Sequence, residues 1–511
     1  MSGRGARNTD GLYIRFVIGP ECLVRTRMQT TAQSSDGSEG RPLTIARGLA
    51  ALLASFLLWL SYGEGLQGAT ALMALVPWLA GAWRLGTLAG ATIGMAVGVA
   101  FGCLAGSWLP VALEAFGSGA IQAHAAFLAA TVLVAGLPFG ILGAVLGATR
   151  SLGAGSRLAL FTTTAFLIDH ARSAGSPGIP WLLLGHSQAG LGLAQLAVVG
   201  GVPLVSALVA SCNLILAATM TASLRQRQLS IPGCLPPVVG ALVFASALGL
   251  PVVSQLRGEP SASRPDAVAI LIVQPNIPVG ERWLSEVQRT NLGITARLSQ
   301  RSLDGASDRP DLMLWPETLV TSPIDRDAEL DADLRRSVRA LGVPLLLGVV
   351  RTPLSGSLAR YRNSALWLDR NGATVDATDK VVGVPLVESA FDFPGSGGLQ
   401  AALGQPANGL RLAPARRAKT LHHGGLSLVP LFCFEVIYPG LAERRREPDS
   451  MALVNLANDS WFHSSIVSRH QLTIASFRAI EQRLPLLRVA HGGISGVIDP
   501  LGRLRETIPF D

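Results

Sequence analysis

Lysine is almost missing from this sequence: of 511 residues only Lys380 and Lys419 carry it, against 40 arginines. Where any positive charge would serve the chain uses Arg, so a Lys points to a position that needs a compact ammonium. Charge of both signs is scarce, at 15% of residues, while 49% are apolar and the mean hydropathy is +0.40. That balance excludes an ordinary soluble protein and directs attention to membrane spans. Cysteine is sparse too: Cys22 lies near the start, Cys103 and Cys212 sit in apolar runs, Cys234 borders another, and Cys433 stands alone in the second half. There is no paired CxxC and no Walker motif, which argues against a cysteine zinc module and a P-loop enzyme. His422, His423, His463, His470 and His491 are scattered without ligand spacing, so neither a metal nor a cofactor is expected.

A helix needs about 20 consecutive apolar residues to cross a bilayer, because unpaired backbone amides are not tolerated in hydrocarbon. Seven stretches read as spans: Ile45 to Tyr62, Leu66 to Trp83, Leu85 to Leu109, Ile121 to Leu146, the shorter Leu158 to His170, Leu193 to Thr219 and Leu235 to Val253. The glycines of Gly90 to Gly102 fall at small-xxx-small spacing and predict close helix packing. Arginines sort by loop. Arg4, Arg7, Arg15, Arg25, Arg27, Arg41 and Arg47 precede the first span, Arg84 follows the second, Arg150 and Arg157 the fourth, and Arg225 and Arg227 the sixth, whereas the opposite loops hold only Arg172. The positive-inside rule then places the N-terminus in the cytoplasm and everything beyond Val253 outside it, in the periplasm of a bacterium. The net charge of +8 is thus a topology signal and calls for no nucleic acid. A transporter would need charges inside several spans, and almost none are there; Asp169 and His170 are the one ionisable pair near a span end.

Residues 1–42 are polar, carry Arg and Ser, and lack the apolar core of a cleaved signal peptide. They are expected to be a disordered tail, or to reflect an upstream start with Met28 as the rival initiator. Residues 43–255 are read as the transmembrane domain and 256–511 as one outer domain. In the latter, strands are predicted at Ala267 to Val273, Leu312 to Trp315, Pro344 to Val350, Ser364 to Asp369, Leu426 to Phe432, Met451 to Leu456, Leu486 to Ala490 and Ser495 to Ile498. Helices are predicted at Glu281 to Arg301, Ala328 to Leu341 and Val467 to Arg483, which makes an α/β layer fold. Gly395 to Arg417, rich in Gly, Ala and Pro, reads as a long loop of the kind that forms lids or binding elements.

Three segments set a reactive residue directly after an apolar strand: Leu314-Trp315-Pro316-Glu317, Asp379-Lys380-Val381 and Leu431-Phe432-Cys433-Phe434-Glu435. Strand ends are where a rigid sheet presents groups to a shared crevice. A thiol that attacks an ester or amide needs a base, an oxyanion donor and little water. Glu317 can serve as base, Lys380 as cationic donor, Cys433 as nucleophile, and the N–H of Phe434 can complete an oxyanion hole. Taken alone, Cys433 is either a small buried apolar residue or a reactive thiol.

In their order and flanking residues these segments resemble the carbon-nitrogen hydrolase (nitrilase) superfamily and, within it, the bacterial apolipoprotein N-acyltransferases. The resemblance rests on Trp315-Pro316-Glu317, Cys433-Phe434-Glu435, the run Asn455 to Phe462 followed by Arg469-His470-Gln471, and Arg478 to Glu481 with Arg483 to Arg488. In the apolar half, Gly178-Ile179-Pro180-Trp181 and Leu184 to Gln188 also fit, as does Gln274 to Pro278 with Trp283. It implies an αββα nitrilase-like sandwich behind a multi-span helical membrane domain of about seven helices, in the inner membrane with the catalytic domain periplasmic. It also implies a Glu317, Lys380 and Cys433 triad that takes an acyl chain from phospholipid as a thioester and passes it to the amine of a diacylglyceryl lipoprotein. Glu435, expected on the same side of the strand as Cys433, would orient the base or the amine. Glu388 matches another acidic position, and Phe434 stands where Tyr is usual. Trp181 belongs to the loop before the sixth span, and Trp283 and Trp461 line the acyl path or simply pack beside it.

The departures are Pro385-Leu386-Val387-Glu388 for a Pro-Phe-Gly-Glu run, His491-Gly492-Gly493 for Asn-Asn-Gly, and the sequence ending at Asp511 where the resemblance leads one to expect a final transmembrane helix. They bear on the substrate more than on the triad. Shortened relatives among plasmid conjugal-transfer proteins, with a different or lost activity, are one alternative reading; a membrane-tethered amidase is another.

Overall fold

The computed structural model of the chain describes residues 40–63, 65–115, 118–174, 178–225, 268–277, 287–352, 361–384, 412, 414–462 and 464–510. The expected seventh span, Trp283, Glu388, most of the loop from Gly395 and nearly all of the N-terminal tail lie outside them. Of the first compact unit, Met1–Thr44, only a helical start is described; residues from Ile45 to Asp511 belong to the second.

Apolar sequence folds first into helices: α1 (Gly40–Leu60), α2 (Ala71–Ala74), α3 (Val76–Ala82), α4 (Thr87–Ala105), α5 (Leu109–Ala115), α6 (Ala120–Thr131), α7 (Leu137–Ala148), α8 (Ala154–Ser173) and α9 (Ala197–Arg225). Among the described residues three helices are long and apolar enough to cross a membrane, Thr87–Ala105, Ala120–Ala148 and Gly192–Ser223, and α1 supplies a shorter apolar run, Thr44–Leu60. In the second of these, α6 and α7 run on through a π-helical turn at Val132–Gly136. Two expected spans differ. The stretch Leu66 to Trp83 is broken into a 3₁₀ segment, α2 and α3. Asn213 of α9 holds the break: its amide donates to Ala71 O at 2.7 Å and its Oδ1 accepts the Leu75 N–H at 2.8 Å, replacing helical bonds, and Pro77 opens the next helix. The fifth, α8, is longer than predicted but is not among the apolar spans, since it carries Arg157, Asp169, His170 and Arg172.

The glycine periodicity of α4 has a physical partner. A Cβ on Gly90, Gly94 or Gly98 would run into the backbone carbonyl of Gly143, Phe139 or Ala135, so the α4 backbone touches that of α7 and of the π-helical turn before it.

The second half is a four-layer sandwich. One sheet runs β1 (Ile270–Ile272), β2 (Leu312–Leu314), β4 (Leu345–Arg351), β5 (Arg362–Leu368), β6 (Thr374–Asp379), with β3 (Val320–Pro323) also pairing β4. The other runs β12 (Leu504–Ile508), β11 (Ser495–Ile498), β10 (Leu486–His491), β9 (Ala452–Asn458), β8 (Leu426–Phe432), β7 (Leu421–His423). Leu312, Leu314, Leu346 and Trp367 of the first sheet meet Leu428, Phe432, Val454 and Val489 of the second in a shared core. The opposite face of the first sheet packs with α10 (Gln288–Asp304) and α11 (Ala328–Leu341). That of the second packs with α12 (Pro439–Arg445) and α13 (Ser465–Gln482). Phe477 and Ile480 of α13 also join the core of the apolar helices, so the two halves share packing. Four short or polar strands, β3, β6, β7 and β12, were not foreseen. In particular Lys380 follows Thr374–Asp379, a polar strand, where an apolar one was expected.

Candidate active site

Parallel pairing of β2 with β4, and antiparallel pairing of β4 with β5 and of β5 with β6, bring the ends of β2 and β6 to one edge of the crevice. There Lys380 Nζ donates to Glu317 Oε1 at 3.0 Å, and Asn363 Nδ2 of β5 donates to the same oxygen at 2.7 Å. Both charged groups are buried. The Glu317 backbone has no room to shift, because Gly348 of β4 lies against it: a Cβ there would sit 2.6 Å from Glu317 Cα.

Cys433 directly follows β8 and starts a 3₁₀ turn, Cys433–Ile437, with φ of 40°, a left-handed conformation rare outside glycine. Such strain at a strand end concentrates at functional sites. The thiol is buried, 4.0 Å from the carbonyl of Asn458 at the end of the neighbouring β9. Burial pushes it up to about 12, with the Glu317 carboxylate adding to the rise and Lys380 opposing it. A thiol held in the protonated form needs a base before it can attack.

Glu435 corrects the expectation drawn for it. The strand stops at Phe432, so Glu435 does not share a strand face with Cys433. Its carboxylate is fully buried and accepts the backbone N–H groups of Val381 (2.7 Å), Val382 (3.0 Å) and Phe432 (3.1 Å), together with Arg445 Nη1 (2.7 Å) and Nη2 (2.9 Å). Burial pushes the carboxyl up, but Arg445 and the amide donors outweigh it and hold it below its ordinary value. Glu435 thus clips the chain just past Lys380 onto the turn that carries Cys433.

A third buried ion pair supports the crevice from β10: Arg488 Nη2 lies 2.7 Å from Asp459 Oδ2 and 3.0 Å from Gln471 Oε1, and Arg488 also donates to Asn455. Asn455 in turn donates to the carbonyls of Leu431 (3.1 Å) and Cys433 (3.4 Å).

At Phe434, the residue after Cys433, opens a cleft of about 1040 Å³, its solvent-open mouth included, walled also by Trp108 and Leu109, Phe127 and Val134, Ile179, Trp181, Val384, Phe462 and Gln471. Its walls come from α4 to α6 on one side and the sandwich on the other, and its surface is almost wholly apolar. Trp181 and Phe434 line it; Trp461 is buried but does not, the neighbouring Phe462 taking that place. Trp108, which packs edge-on against Phe462 at 5.3 Å, went unnoticed in the sequence. So did Asn363 and Arg445. An Asn inside an apolar strand was a readable signal, whereas Arg445 is hidden in the run Arg444-Arg445-Arg446 and looks like surface charge.

A sandwich of two six-stranded sheets with Glu, Lys and Cys at its strand ends has the architecture of a carbon-nitrogen hydrolase, and residues 272–508 match the carbon-nitrogen hydrolase family model. Residues 54–215 match that of the apolipoprotein N-acyltransferase N-terminal domain. The chain belongs to the apolipoprotein N-acyltransferase family. It is similar to the apolipoprotein N-acyltransferase of Rhizobium leguminosarum bv. trifolii (30% identity over 68% of this chain and 64% of that one) and to that of Geobacter metallireducens (28% over 67% and 64%). That of Brucella melitensis is 31% identical over 48% of this chain and 46% of its own. The chain thus spans about half to two thirds of the length of these relatives. A solved carbon-nitrogen hydrolase from Helicobacter pylori aligns with 48% of this chain and 86% of its own, at 15% identity and a TM-score of 0.37.

Proposed function

We propose that this protein is a membrane-bound N-acyltransferase that moves an acyl chain from a phospholipid, through a thioester on Cys433, to the N-terminal amine of an apolipoprotein. The observation that carries this reading is the apolar cleft, which runs from helices long enough to span a membrane to Phe434, the residue next to the buried thiol. A soluble amidase needs no such path. An acyl chain that enters it from the bilayer exchanges one apolar medium for another and loses no solvation on the way.

In the first half-reaction Glu317 takes the thiol proton, Cys433 Sγ bonds to the ester carbonyl carbon, and the C–O bond breaks. The proton passes to the leaving lysophospholipid oxygen. In the second, the lipoprotein amine attacks the thioester carbonyl, the C–N bond forms, the C–S bond breaks, and the amine proton returns to sulfur by way of Glu317. Lys380 and the Phe434 N–H stabilise the oxyanion in both. Residues 43–255 form the membrane domain and 256–511 the acyl-transfer domain. The arginine distribution supports a multi-pass inner-membrane placement with that domain in the periplasm.

The test is mass spectrometry of Cys433 after incubation with phospholipid vesicles. A hydroxylamine-sensitive mass increment equal to one acyl chain is expected, absent in Cys433→Ser and slowed by roughly 10² to 10⁴ in Glu317→Gln. An unmodified Cys433 after prolonged incubation with several phospholipids overturns the reading.

A further inference from the structure

Helix α13 belongs to two packings at once. Phe477 and Ile480 enter the core of the apolar helices, while Ile474, Ala475 and Ala479 join the sandwich core that holds Val436 and Ile437, in the turn that begins at Cys433. Apolar packing is non-directional, so it joins the two halves without fixing one angle between them. On the same helix sits Arg478, 1% exposed, which no step of the acyl transfer uses. Its Nη1 donates to the carbonyl of Ile437, the last residue of the Cys433 turn, at 3.1 Å, and its Nη2 to Glu481 Oε1 at 2.8 Å. The same Glu481 oxygen accepts the Val202 N–H at 3.3 Å. Val202 is where α9 resumes after the non-helical Gly200 and Gly201, the latter with φ of 65°. The N–H groups that open a helix have no partner within it and carry its positive dipole end, so a carboxylate is a fitting cap. Directional bonds thus run from a helix long and apolar enough to span a membrane, through Glu481 and Arg478, to the far end of the nucleophile's turn.

We infer that Arg478 is a positioning residue, keyed to the membrane helix through Glu481 and setting, through the Ile437 carbonyl, how the turn presents the Cys433 thiol to a lipid in the cleft. This rests on the acyl-transfer reading and deepens it. A substrate held by the membrane half meets a nucleophile held by the sandwich, so the rate depends on the register of the two, and an error near 1 Å costs about 10². Asn455 and Arg445 hold the same turn from within the sandwich, whereas Arg478 ties it to the helices.

The test replaces the pair by Arg478→Met together with Glu481→Met in the full chain. Exchanging a buried ion pair for apolar side chains of similar volume is often neutral for stability or better, so the thermal transition should stay in place. With phospholipid vesicles at saturation, thioester formation on Cys433 should nonetheless fall about 10²-fold, and the vesicle concentration for half-maximal rate should not change. Iodoacetamide should alkylate Cys433 about tenfold faster, since losing a hydrogen bond from a charged donor loosens the turn that buries the thiol. Arg478→Lys keeps a charge beside Glu481, but its single nitrogen replaces the two that reach Glu481 and Ile437. It should show the same two changes, and it decides the matter where the apolar pair is not recovered folded. Wild-type acylation and alkylation rates in either folded variant make the pair structural only and overturn the inference. A wild type that forms no thioester removes the acyl-transfer reading, and the alkylation ratio then decides the positioning role by itself.

Discussion

Glu435 and Arg445 meet in a doubly hydrogen-bonded ion pair, at 2.7 and 2.9 Å, from which water is excluded. The same carboxylate holds the two amides that follow Lys380. Arg445 therefore acts on the lysine at second hand, through a backbone that it never touches. Removing one partner of a buried pair leaves the other charge uncompensated, at about 3–5 kcal/mol. Glu435→Gln should lower the unfolding free energy by that order and reduce thioester formation in the molecules that remain folded. Wild-type stability and acylation in Glu435→Gln would show the pair to be dispensable.

Gly348 offers a test of Glu317 that leaves every polar group in place. Gly348→Ala puts a methyl 2.6 Å from both Glu317 Cα and the Thr318 nitrogen, and backbone must move to relieve it. Because a displacement near 1 Å at a reacting group costs about 10² in rate, acylation of Cys433 should fall by about that factor with the acyl-lipid affinity unchanged. Normal acylation rates in this variant would mean that β4 is free to yield.

The thiol makes a pH prediction whose sign follows from burial. Its value rises from 9.0 to about 12 on folding, so the neutral form is favoured in the native state. The stabilisation is fully present below about pH 9 and is lost as pH climbs from there through 12. The thermal transition of the wild type should therefore drop faster above pH 9 than that of Cys433→Ala. Iodoacetamide should also alkylate the resting enzyme at pH 8 more slowly than it does free cysteine. Parallel pH curves for the two proteins would contradict a protonated resting thiol.

Lys380 is predicted to be irreplaceable by the residue the chain otherwise prefers. A planar guanidinium cannot stand where a compact ammonium donates to Glu317 at 3.0 Å. Lys380→Arg should lose about 10² to 10³ in acylation rate, nearly as much as Lys380→Ala. Near-normal turnover of the arginine variant would reduce the requirement to bulk positive charge.

Orientation is tested by fusion. A reporter active only in the periplasm should work after Asp511 and fail after Arg227, as the arginine asymmetry requires. The opposite pattern would remove the lipoprotein substrates from reach of the site.

Sequence alone was enough to find the apolar half, the α/β half and the three strand-end residues, because hydropathy and alternation are local and the Glu, Lys and Cys segments each carry their own flanking pattern. Leu426 to Phe432, Ala328 to Leu341 and Ser495 to Ile498 end where their patterns end. Tertiary contacts decided the rest. The helix break at Leu75 depends on Asn213, 138 positions away, and no local pattern of Leu66 to Trp83 contains it. The turn that strains Cys433 depends on where β8 meets β9, and the role of Glu435 was misjudged because strand alternation was extended one turn too far. Arg445 is a residue whose identity, in a run of three arginines, says only that it is charged. What it does follows from burial: with water excluded, each donor and acceptor must be met by another group, and only the folded chain determines which one that is.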